Sequence, residues 1–292
     1  MTEIKITRSD GSTFNYSDGA WKIKTLNGVD SPEVEIFSES KGFGNGDIIT
    51  GIRKKAREIK IVTRLKDMNV SKSERKRVLA FHNANYTYEI EITYLGTTRV
   101  VKDCRLESCS YPTNKSHLSP DLTVEFFSPY AVLFADFTDN EQMFSITGKW
   151  HCDRYYVDEA YTEGTETIKA TQNIYGVETR IESKNIYYSG SENAPIIATL
   201  TATGVITENI TLTVNDNSLV VDCDLTTGDV LEINAETYDV LLNDEAISPS
   251  LYNSEVFPDM NMEYGDNTVS ITAEDNLAFS SVINYTGRYD GV

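Results

Sequence analysis

The chain has no apolar run near the roughly 20 residues that would cross a bilayer as a helix, and its 292 residues include only three histidines and four cysteines. Each scarcity excludes a class of function. Cys104, Cys109, Cys152 and Cys223 show no CxxC spacing, so they encode neither a paired zinc site nor a disulfide framework. His82, His117 and His151 lie far apart, and none sits in HExxH or beside a GxSxG elbow. The opening stretch MTEIKITRSDGSTFNYS lacks the apolar segment of a secretory signal, which predicts cytoplasmic synthesis and free thiols. No cofactor motif is present, and no metal site is expected. Basic residues are scarce in one half only. Residues 1–135 hold 20 Lys/Arg and 17 Asp/Glu, a net +3, whereas residues 136–292 hold 6 and 28, a net −22. That break predicts two domains, 1–135 and 136–292, the second repelling nucleic acid and anionic lipid.

Period-two alternation is present throughout. In YTYEIEITYLG, Tyr88, Ile90, Ile92 and Tyr94 fall on one face. REIKIVTRL sets Ile59 and Ile61 between charges, and LTVEFF alternates Leu122, Val124 and Phe126 with polar partners. NITLTVND, VLEINAETYDVLLND and NTVSITAED continue the pattern, the second as two strands around a turn near Glu236. Half-buried strands between Gly, Asn and Asp turns predict an all-β, mainly antiparallel fold of sandwiches or barrels. One helix interrupts them. SKSERKRVLAFHNAN opens with the capping box Ser71-x-x-Glu74 and should bury Val78, Leu79 and Phe81 while Arg75, Lys76 and Arg77 stay solvated.

KGFGNGDIITGIRKKAREIKI, residues 41–61, has the glycines of a phosphate loop but not its chemistry. Gly46 and Gly51 have P-loop spacing, yet Ile52 stands where lysine must be, and strand-like sequence follows where a dinucleotide loop needs a helix. A glycine turn between strands fits better, with Gly44 and Gly46 serving backbone geometry. The basic cluster Arg53–Lys60 lacks interleaved aromatics for nucleic acid and should meet solvent or a neighbouring subunit. Asp216, Asp222, Asp224 and Asp229 lack EF-hand order and fit turns. Abundant carboxylates leave a glycan hydrolase conceivable, although no pair is singled out. KWHCDRYY offers Trp150, His151, Arg154 and Tyr155 as candidate carbohydrate contacts, aromatics to stack on a sugar ring beside polar side chains. The competing reading puts Trp150 and the tyrosines in the core of a sandwich.

The order of these segments resembles the distal tail protein (baseplate hub) family of phages with long flexible tails. WKIKTLNGVDSPEVEIF, GNGDIITGIRKKAREIKIVTRL with a central Arg57, the capped helix, YEIEITYLGTTRVVKDCRLES and LTVEFFSPYAVLF follow the family's order. So do TTGDVLEINAETYDVLLND, FPDMNMEYGDNTVSI and INYTGRYDGV. The resemblance implies a split-barrel or sandwich N-terminal domain with one α-helix and a galectin-like C-terminal β-sandwich. It further implies a non-enzymatic hub: a homo-hexameric ring in the virion that joins the tail tube protein to the tail-tip protein and the adhesion apparatus, DNA only passing through its channel. Receptor-binding proteins or host cell-wall polysaccharide would be further partners. The alternative is a virion adhesin that recognises that polysaccharide through its C-terminal sandwich.

Overall fold

The computed structural model describes residues 2–18, 20–42, 45–66, 71–111, 121–142, 155–157, 170–172, 183–207, 209–273 and 279–292. The N-terminal half forms β1 (Glu3–Arg8), β2 (Thr13–Asn15), β3 (Trp21–Asn27), β4 (Val34–Ser40), β5 (Asp47–Lys54), β6 (Arg57–Leu65), α1 (Ser71–Phe81), β7 (Thr87–Tyr94), β8 (Thr97–Ser110), β9 (Asp121–Ser128) and β10 (Leu133–Gln142). Alternation decides what these strands bury. Ile59, Ile61, Ile90, Ile92, Leu122, Val124 and Phe126 are fully enclosed, and Tyr94, at the end of its strand, is exposed.

Strand β8 explains how one chain makes two layers. Its first residues pair with β7 and β10, and Arg105–Ser110 pair with β9, which continues to β6 and β3. The switch falls at a register shift opposite Glu89, where Asp103 adopts φ 52°. An extra residue there bends the strand and lets it serve both layers. The resulting split barrel encloses Phe14, Tyr16, Trp21, Phe81, Tyr88 and Phe126.

Helix α1 begins at Ser71 as expected, but its buried stripe differs from the sequence reading. Val78, Phe81 and the following His82 are buried, whereas Leu79 is exposed. Residues at i, i+3 and i+4 share a helix face, and Leu79 lies off that stripe. Arg77 is not simply solvated. It pairs with Asp18 (3.0 Å) and Glu74 (3.2 Å) and lies 4.6 Å over the Phe14 ring.

The C-terminal half contributes β11 (Tyr155–Val157), β12 (Ala170–Gln172), β13 (Ser183–Tyr188), β14 (Ala194–Ala202), β15 (Ile210–Val214), β16 (Asn217–Val221), β17 (Val230–Asn234), β18 (Asp239–Leu242), β19 (Glu245–Ala246), β20 (Asn261–Met262), β21 (Gly265–Thr272) and β22 (Phe279–Tyr289). Two sheets, β19-β18-β17-β14-β22 and β13-β21-β15-β16, pack through one apolar cluster that includes Leu200, Ile233 and Ile283 on one side and Leu212, Leu219 and Ile271 on the other. This is the antiparallel sandwich expected from the sequence. Strand β22 pairs with β14 along one edge and with β10 along the other, so a single sheet runs through both halves.

Candidate functional site: an apolar hairpin on a clamped base

Among the described residues, strands β4 and β5 pair only with each other. Seven register pairs join them, from Val34–Lys54 to Ser40–Asp47, with an irregularity beside Phe37. The turn between them holds Gly46 at φ +93°, with open space where a side chain would stand, so this glycine supplies a left-handed turn. Gly44 lies outside the described residues. The hairpin carries much of the exposed apolar surface of the N-terminal half. Ile36 is 59% exposed and its cross-strand partner Ile52 67%, with Val34, Phe37, Ile48 and Ile49 also exposed. Isolated exposed aliphatics are ordinary, but six on one two-stranded ribbon are not.

The base of the hairpin is held firmly. Arg57, three residues beyond β5, is 3% exposed. Its Nε donates to the Ala131 carbonyl at 2.7 Å, and Nη1 donates to the carbonyls of Gly28 at 2.7 Å and Asp30 at 2.6 Å. Nη2 donates to the carbonyl of Asp290. One guanidinium thus joins three N-terminal segments to the chain's last residues. Burial lowers the Arg57 pKa, and Asp290 and Asp30 oppose that shift. Gly28 makes this packing possible. It sits at φ +85°, and a Cβ there would lie 2.0 Å from the Glu58 carbonyl oxygen. Beside Arg57, Lys54 bonds both Glu192 and Asp290. Burial works against its charge, but those hydrogen bonds prevail and raise its pKa.

The basic cluster therefore divides: Arg53, Lys55 and Lys60 meet solvent as expected from sequence, whereas Lys54 and Arg57 do not. Lys55 pairs with Glu33 at 3.3 Å, Lys60 with Glu125 at 2.7 Å and Arg53 with Glu35 at 3.6 Å. Arg57 and Lys54 face the chain's own C-terminal half. Its charges are mostly neutralised within the chain, which leaves the apolar ribbon as the available surface.

Trp150, His151 and Arg154 lie outside the described residues, as do His117 and Cys152. Tyr155 begins β11, paired with Gln172 of β12. His82 is buried among aromatic rings. Its Nδ1 lies 2.9 Å from the Val78 carbonyl, which can only accept, so Nδ1 carries the proton and Nε2 accepts from the Tyr16 hydroxyl at 3.0 Å. Burial pushes its pKa down to about 4. A neutral imidazole fully engaged in the core has no substrate to serve. Cys104, Cys109 and Cys223 are free thiols. Asp229 accepts hydrogen bonds from Thr226 and Asn243, the turn role expected of it. Among the described residues no cluster of His, Cys, Asp and Glu could hold a metal ion.

Residues 189–289 match the family model of the siphovirus-type tail component, C-terminal domain. Comparison with curated proteins gives no match. Among solved structures, the crystal structure of the SPP1 Dit protein, described as a paradigm of hub adsorption apparatus in phages infecting Gram-positive bacteria, aligns with a TM-score of 0.65. The alignment covers 98% of each chain at 13% identity. A chain of the phage P2 baseplate in its activated conformation with calcium aligns over 100% of both chains, with a TM-score of 0.48 and 9% identity.

Proposed function

We propose, for a chain whose residues 189–289 match the siphovirus-type tail component family model and whose whole fold is that of SPP1 Dit, that it is a non-enzymatic hub of a phage tail tip. Residues 1–135 close head to tail into a six-fold ring, and residues 136–292 project from it. The ring joins the tail tube protein to the tail-tip protein in the virion, and DNA passes through its channel. The hub reading extends to receptor-binding proteins as further partners on the outer side.

The observation that carries the ring is the β4–β5 hairpin. Water does not favour six exposed aliphatic and aromatic side chains on a thin ribbon, and its base is fixed by Arg57, so it cannot fold back easily. A neighbouring copy supplies the missing cover. Burying the exposed parts of Ile36 and Ile52 contributes roughly 1–2 kcal/mol each, and ring closure repeats that gain at every contact. The acidic outer domain, net −22, keeps neighbouring sandwiches apart and the particle soluble.

The hairpin itself provides the test. Light scattering on the Ile36→Ser/Ile52→Asp double variant should find monomers where the unaltered chain forms a higher oligomer, with thermal stability nearly unchanged. A variant that assembles like the unaltered chain would remove the hairpin from the interface.

A further inference from the structure

The outer face of the β13-β21-β15-β16 sheet differs in chemistry from the acidic half that contains it. Positions alternating with the core residues carry mainly Ser, Thr and Asn. They bond one another across strands. Thr268 Oγ1 donates to Asn185 Oδ1 at 2.9 Å, and the Thr213 and Ser218 hydroxyls lie 3.0 Å apart. Asp266 is the one charged residue among the outward positions of these four strands.

Two tyrosines stand at one end of this face. Tyr187, opposite Asp266 across the β13–β21 pairing, is 61% exposed, and Tyr264 is 72% exposed. Their ring centroids lie 6.4 Å apart at 65°. Gly265, at φ +106°, turns the chain into β21 and sets Tyr264 beside Tyr187. Neither ring serves the core, because the adjacent Tyr188 is the residue of β13 that packs there. Strand alternation placed one tyrosine of the pair inside and left the other in water.

We propose that this face binds an uncharged polysaccharide, with sugar rings packing on Tyr187 and Tyr264. Asn185, Thr268 and Asp266 take the sugar hydroxyls. The aromatic pair offers apolar ring faces to sugar C–H groups, and the surrounding amide, hydroxyl and carboxylate groups provide both donors and acceptors. Charge selects among glycans. The domain's net −22 repels a phosphate-bearing polymer, and the face has no lysine or arginine at its outward positions to hold one. This binding is independent of ring formation, so either proposal can fail alone.

The test titrates the full chain with cellohexaose, maltohexaose and the hexamer of N-acetylglucosamine, using poly(glycerol phosphate) as the anionic contrast. Saturation-transfer NMR detects binding and calorimetry measures it. At least one neutral oligomer should bind. Tyr187→Ala and Tyr264→Ala should each weaken it by about tenfold or more, and Tyr187→Phe should stay within about threefold of the unaltered chain. Both tyrosines are exposed, so the variants should keep the native melting temperature. Failure of all three neutral oligomers to bind, binding of the polyanion alone, or alanine variants that bind like the unaltered chain would overturn the proposal.

Discussion

Arg57 is the residue whose loss should cost the fold most for a single surface-proximal change. Arg57→Met keeps the aliphatic stem and removes a guanidinium that donates to the carbonyls of Gly28, Asp30, Ala131 and Asp290. A hydrogen bond from a charged group contributes about 1.5–3 kcal/mol net, and each buried carbonyl left unpaired costs about 1–3 kcal/mol. The desolvation cost of the guanidinium, visible in its lowered pKa, offsets part of that gain. The net loss should be about 3–5 kcal/mol, the range for removing one member of a buried charged network. For a chain of this size that corresponds to a fall in melting temperature of roughly 10 °C. Arg57→Lys keeps the charge but not the planar fork, so it should fall between the two. Calorimetry and urea titration followed by tryptophan fluorescence would measure both. A loss below about 1 kcal/mol for Arg57→Met would refute the clamp as a stabilising element.

His82 gives a pH signature. Its pKa falls from 6.5 to about 4 on folding, so the unfolded chain binds the extra proton between those values. Its contribution is complete above pH 6.5 and is lost as the pH falls toward 4, by roughly 3 kcal/mol in total. His82→Gln should flatten that part of the urea-stability profile, and an unchanged profile would contradict the buried neutral imidazole. Gly28→Ala should destabilise by more than about 3 kcal/mol, because it combines a positive φ with backbone overlap. Gly46→Ala, which meets only the φ penalty, should cost about 1 kcal/mol in the same denaturation assay. Burial raises the pKa of Cys104 to about 12 and those of Cys109 and Cys223 to about 11. Iodoacetamide at pH 8 should therefore label these three slowly in the native state, and rapid labelling read by peptide mass spectrometry would show the burial to be wrong.

The strands could be read from the sequence because half-burial imposes alternation locally: Ile59, Ile61, Leu212 and Ile271 are core residues by position as well as by type. The role of Arg57 could not. Its partners are backbone carbonyls at residues 28, 30, 131 and 290, which no side-chain pattern marks. From sequence alone its charge belongs on the outside. Leu79 differs for a simpler reason: apolar content alone does not fix the buried stripe, which includes His82. The hairpin was legible as strands but not as a surface, because Ile48, Ile49 and Ile52 look like core residues until the sheet that should cover them proves to have two strands. Tyr187 and Tyr264 lie 77 residues apart in the chain (264 less 187) and meet only through the pairing of β13 with β21.

The most direct test of the central claim is the mass of the purified full chain, measured by mass photometry alone and with the tail tube protein that the hub proposal assigns to it. A ring predicts a particle of six copies of the 32.7 kDa chain, with six-fold class averages in electron micrographs. A chain that stays monomeric at every concentration, with the tube protein present, would contradict the hub.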